Sequence, residues 1–166
     1  MNFLIKTITT VLLSLSLINA HGDSFQVNED SIIQSKKDSQ EWLSHGRTYD
    51  EQRFSELEQI NTENINQLGI EWFADLDSNR GHEATPIVSD GVMFTTGAWS
   101  VVYAHNALTG ELMWKHDPKV PKEKAYFICC DVVNRGVAIW EGKIFVGTLD
   151  GRLIALNAKT GKLIWE

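Results

Sequence analysis

Apolar residues along this chain fall into short runs separated by turn-forming residues, and the runs recur at a fixed spacing. Val92-Met93-Phe94-Thr95 and Ile144-Phe145-Val146 are continuously apolar or nearly so, the pattern of strands buried on both faces. Each follows a tight-turn signal, Ser89-Asp90-Gly91 in one case and Glu141-Gly142-Lys143 in the other. Val101-Val102-Tyr103-Ala104 and Leu153-Ile154-Ala155-Leu156 predict the next strands. Asn-Ala-x-Thr-Gly then makes a turn whose Gly can take positive φ, and Leu-x-Trp begins an outer strand.

These matches reflect an internal repeat. Laid over Val137–Trp165 at a constant offset of 51 residues, Pro86–Trp114 needs no gap. Identities include Gly91/Gly142, Phe94/Phe145, Asn106/Asn157, Thr109/Thr160, Gly110/Gly161 and Trp114/Trp165. A period near 50 residues with three to four strands per unit predicts an all-β fold of propeller blades. A blade cannot bury both faces alone, and a closed ring needs about four to eight of them. Residues 42–166 hold two blades and one strand of a preceding unit, Ile70–Leu76, in which Trp72 and Phe73 supply bulk. The complete fold is therefore expected to extend beyond residue 166.

Upstream the pattern is weaker. Trp42 to Gln67 predicts short helical turns, with Asn61-Thr62-Glu63-Asn64 as a cap before Ile65 and Leu68, and a stop at Gly69. Residues 21–41 are polar, with few apolar positions, and read as a loosely tied N-terminal arm. Residues 1–20 have the form of a secretory signal: Lys6 is the basic flank, Ile8–Ile18 the short apolar core and Ala20 a small residue for cleavage.

Composition narrows the function classes. With 43% hydrophobic and 22% charged residues the chain is globular in type, and six Trp are a heavy load for its length. A net charge of −7 argues against nucleic acid as a partner. The five His show no zinc-binding spacing, and neither a phosphate-binding Gly loop nor a Cys-x-x-Cys-His haem motif occurs. The two cysteines, Cys129 and Cys130, are neighbours. Adjacent Cα atoms lie about 3.8 Å apart, closer than the roughly 4.4–6.8 Å of ordinary disulfides. From the residues alone the pair is bonded to itself, bonded to another molecule, or reduced.

The Ala-x-Asn-Ala-x-Thr-Gly-x-x-x-Trp blade ending resembles the tryptophan-docking motif of quinoprotein dehydrogenases that depend on pyrroloquinoline quinone (PQQ), with Asn106 and Asn157 where that motif usually has Asp. Trp42–Arg47, Asp50–Ser55, Arg80–Pro86 and, most specifically, Cys129–Gly136 are similar to the soluble and haem-containing alcohol dehydrogenases of this family. The resemblance implies an eight-bladed propeller with PQQ and Ca²⁺ near its axis. It also implies a vicinal disulfide, Cys129–Cys130, packed on one face of the PQQ rings. Arg135 would pair with PQQ, and Glu83 would stand near a cofactor carboxylate. Trp99 could approach the central channel, although blade packing is the plainer role, and Asp131 reads as a turn acid.

The expected function is thus the N-terminal portion of an exported, periplasmic alcohol dehydrogenase, acting on a small alcohol and passing electrons to a cytochrome. Metal ligands and the catalytic base are expected beyond residue 166. A following haem c domain, and homo- or hetero-oligomers, are left open. The alternatives are a non-catalytic exported propeller scaffold, or an inactive truncated remnant of the dehydrogenase.

Overall fold

The computed structural model describes residues 24–37 and 40–166, so the expected signal at residues 1–20 lies outside it. Two four-stranded antiparallel meanders form the body. The first comprises β1 (Ile87–Ser89), β2 (Val92–Thr96), β3 (Val102–Asn106) and β4 (Leu112–His116). The second comprises β5 (Ala138–Trp140), β6 (Lys143–Gly147), β7 (Leu153–Asn157) and β8 (Leu163–Trp165). Each opens with a two-residue hairpin, Ser89 facing Val92 and Trp140 facing Lys143. The turn residues Asp90-Gly91 and Glu141-Gly142 all have positive φ, the twist that joins two strands tightly. In both sheets the register shifts by a bulge where the third strand meets the fourth.

The repeated Asn starts the next turn. Asn106 Oδ1 accepts from the backbone N–H groups of Leu108 and Thr109 at 2.9 and 3.0 Å. Asn157 does the same for Lys159 and Thr160. Only the acceptor oxygen is used, so Asn serves here as Asp would. Above the Gly of each turn lies a Trp from the preceding unit. Trp114 donates to the Ala158 carbonyl at 2.9 Å, and a Cβ on Gly161 would stand 2.5 Å from its ring. Trp72 donates to the Ala107 carbonyl at 3.1 Å and covers Gly110 likewise. Trp72 therefore does for the first sheet what the β4 Trp does for the second, placing Ile70–Leu76 where a last strand stands. This corrects the expectation of a strand there: a strand needs a ladder partner, and none of the described strands pairs with this segment.

One core fills the seam between the sheets. Ile87, Phe94 and Val102 of the first meet Ile139, Ile144, Val146, Ile154 and Leu156 of the second. Burying a side chain such as Phe94, with no solvent exposure, stabilises the fold by about 1.5–3 kcal/mol. The expected burial on both faces is not met. In β2 buried and half-buried residues alternate, because one face enters the seam and the other is only partly covered.

Residues 24–37 and 40–43 also depart from expectation, forming a docked brace instead of a loose arm. Phe25, Val27, Ile32 and Leu43 join the seam core, and Phe25 meets Phe94 edge-on at 5.6 Å. The carbonyls of Phe25 and Val27 accept from Gly142 and Glu141 at 2.8 and 2.9 Å, while Trp42 bridges Val88. Helix α1 (Glu29–Gln34) starts at a capping box between Asn28 and Ser31. Between Trp42 and Gln67 a single 3₁₀ turn forms, Ile65–Gln67. The Asn61 and Asn64 side chains cap backbone N–H groups of Glu63 and Asn61, closing the preceding turn and not a longer helix.

Candidate functional site

Two segments far apart in sequence run side by side, one leading into β1 and the other into β5. Arg80 donates from Nε to Asp131 at 2.9 Å and from a second nitrogen to the other carboxylate oxygen. A Cβ on Gly81 would meet Val133 at 3.2 Å. Glu83 pairs with Arg135 at 3.0 Å, and Thr85 donates its N–H to the Arg135 carbonyl at 3.3 Å. Gly136, at φ +121°, lets the chain pass the Thr85 carbonyl, which a Cβ would approach to 2.9 Å. The blocks Arg80–Pro86 and Cys129–Gly136, separate in the sequence, thereby become one platform.

Cys129 and Cys130 are disulfide-bonded to each other across a Cα separation of 3.8 Å, and both residues are exposed. Of the three states the residues left open, the pair bonded to itself is the one that forms. The Arg135 side chain is 72% exposed and that of Glu83 45%, so the ion pair between them orients the guanidinium more than it stabilises the fold. Asp131 sits at positive φ next to the disulfide. Hydrogen bonds from Arg80, then from the Val132 N–H, hold its carboxyl below the usual range. An acid kept ionised in this way is poorly suited to accept a proton.

The loop after β2 supports the platform. Trp99 and Ser100 both adopt positive φ, and the Trp99 N–H donates to the Val132 carbonyl at 2.8 Å. Lys122 Nζ lies 3.7 Å from the centroid of the Trp99 ring. Trp99 is accordingly a neighbour of the disulfide loop, a contact that no motif in the sequence signals. Asn134, likewise unmarked by sequence reasoning, bonds to three surrounding elements.

An exposed guanidinium suits an anionic ligand. Arg135 offers an exposed planar cationic fork matched to carboxylates, five residues beyond the exposed disulfide. Among the described residues no group of three or more His, Cys, Asp or Glu could hold a metal ion. No helix among them is long and apolar enough to cross a membrane.

Comparison with known proteins agrees with the fold. The family model of the PQQ β-propeller domain of glucose, ethanol and alcohol dehydrogenases matches residues 42–166. A quinohemoprotein alcohol dehydrogenase of Pseudomonas putida is 57% identical over 84% of this chain and 20% of its own length. A 1-butanol dehydrogenase (cytochrome c) of Thauera butanivorans is 56% identical over 76% of this chain and 18% of its own. The solved structure of a second P. putida quinohemoprotein alcohol dehydrogenase superposes with a TM-score of 0.83 at 55% identity, covering 86% of this chain and 21% of that one. The chain spans about a fifth of the length of these relatives.

Proposed function

Because the chain belongs to the PQQ β-propeller family of glucose, ethanol and alcohol dehydrogenases, we propose that it is the N-terminal portion of an enzyme oxidising alcohols to aldehydes or ketones with PQQ and a divalent metal. The observation that carries this reading is the single platform holding the exposed disulfide Cys129–Cys130 together with the Glu83–Arg135 pair.

PQQ, when bound, supplies an ortho-quinone that accepts the hydride of the alcohol carbon. Arg135 would hold one of its carboxylates, a planar cationic fork being suited to that group. Glu83 keeps the guanidinium turned toward that carboxylate, and Arg135 in turn screens the two acids from each other. Cys129 and Cys130, disulfide-bonded and exposed, would lie against the cofactor and help exclude water from it. The metal, Ca²⁺ in this reading, and the base that takes the hydroxyl proton are assigned to parts of the protein outside this chain. Electrons leave to a cytochrome, as the name of the Thauera relative suggests. Export to the periplasm rests on the signal pattern of residues 1–20.

The test is a PQQ titration of the full-length apoprotein, followed by alcohol oxidation with an artificial electron acceptor. Arg135→Ala is expected to raise the Kd for PQQ about tenfold to a hundredfold, the worth of a charge-assisted hydrogen bond. Affinity equal to wild type would remove Arg135 from the site. A wild-type protein that binds no PQQ and oxidises no alcohol would leave the scaffold or the remnant.

A further inference from the structure

Asn134 stands between the disulfide and Arg135 in sequence, and every hydrogen-bonding position of its amide is used. Nδ2 donates to Ser100 Oγ at 3.1 Å and to the Gly147 carbonyl of β6 at 2.9 Å. Oδ1 accepts from Thr96 Oγ1, at the end of β2, at 2.9 Å and from the Gly136 N–H at 3.0 Å. Two donors and two acceptor sites are all that a primary amide has. One side chain therefore ties β2, the loop after it, β6 of the second sheet and its own loop.

The partners are themselves constrained. Ser100 is fully buried at positive φ, and its Oγ also accepts from the Leu149 N–H at 3.3 Å. Thr96 is 1% exposed. The amide thus fastens the loop to groups that are themselves buried. Arg135 is the next residue, and among the described residues its own tie to the platform, beyond the Glu83 ion pair, is one carbonyl bond with Thr85. A long, exposed side chain has many rotamers, so the position of its head depends on where its backbone is fixed.

We infer that Asn134 is a positioning residue, setting the Arg135 guanidinium beside the vicinal disulfide at the geometry an anionic planar ligand requires. It need not touch that ligand. The inference rests on the PQQ reading for the identity of the ligand, whereas the anchoring of the loop does not depend on it.

The test is a double-mutant cycle in the full-length apoprotein, read by PQQ titration, with amide hydrogen exchange of residues 129–136 as a second readout. Asn134→Ala is expected to raise the Kd for PQQ at least tenfold and to speed exchange in the loop. In an Arg135→Ala background the same change should alter the Kd less than twofold, since it acts through Arg135. A purely structural role would instead give equal losses in both backgrounds, and that result overturns the inference, as does an unchanged Kd for the single variant. Asn134→Asp, which keeps both acceptor contacts and loses both donations, serves the same cycle should Asn134→Ala fail to fold. If wild type binds no PQQ, the function reading fails separately, and exchange in the apoprotein still decides whether Asn134 holds the loop.

Discussion

His105 on β3 lies with its ring near those of Trp72 and Tyr103, at centroid distances of 6.4 and 6.2 Å and within about 20° of parallel to each. It is 3% exposed, and its Nδ1 has no hydrogen-bond partner among the described residues. Burial holds the imidazole below its ordinary pKa, so it stays neutral in the fold at a pH where the unfolded chain is already protonated. The unfolded state then binds more protons, and stability falls as pH drops below about 6.5 toward the folded value. His105→Phe is expected to flatten this acid-side loss, as measured by denaturant midpoints of the full-length protein at pH 7.5 and 5.5. An equal loss in both proteins would assign it to other groups. Residue types with chemistry of their own were the legible ones here: a Cys pair, and an Arg and a Glu in motif blocks. Asn134 and the Arg80–Asp131 fork were not, because ordinary polar residues acquire roles only through neighbours that folding supplies.

At the scale of elements, a Trp docks on the Thr-Gly turn of each repeat. Gly161 has φ +67° with the Trp114 ring directly over it, whereas Gly91 has φ +72° and nothing within 4 Å of the place a methyl group would take. Gly91→Ala should thus cost only the left-handed backbone penalty, about 1–2 kcal/mol. Gly161→Ala adds displacement of the Trp and is expected to exceed it by about 1–3 kcal/mol. Chemical denaturation of the two variants side by side checks the order, and equal losses would show that the Trp yields freely. These turns were readable because their geometry is set within a few residues. The brace was not: Phe25, Val27 and Ile32 follow neither a strand nor a helix period, and their partners lie in other elements.

On the scale of the whole molecule, the repeat changes which surface each sheet presents. Phe94 is buried in the seam against Trp114, at 5.8 Å between centroids. Its repeat mate Phe145 meets Trp165 at 6.0 Å on the opposite face of the second sheet, where Trp140 and Leu153 are exposed. Such a contiguous apolar face marks a packing surface. Residues 24–166 expressed alone are expected to self-associate and bind a hydrophobic dye, as judged by size exclusion and fluorescence. A monodisperse, dye-silent product would show that this face is tolerated by water. The propeller architecture was legible from periodicity alone, and the faces were not, since strand phase is fixed only when sheets stack.

The brace of residues 24–37 and 40–43 has a consequence for the order in which the chain can fold. Its first residues leave the ribosome early, yet the backbone groups that the carbonyls of Phe25 and Val27 accept from belong to Glu141 and Gly142, synthesised far later. Until that hairpin emerges, Phe25 has only half of its final site, and the first sheet waits with one side of its core uncovered. Closing so long a loop costs entropy that local pairing does not recover, which slows the step. Nascent chains halted before Glu141 should therefore be protease-sensitive at the brace, and those halted well beyond β8 protected there.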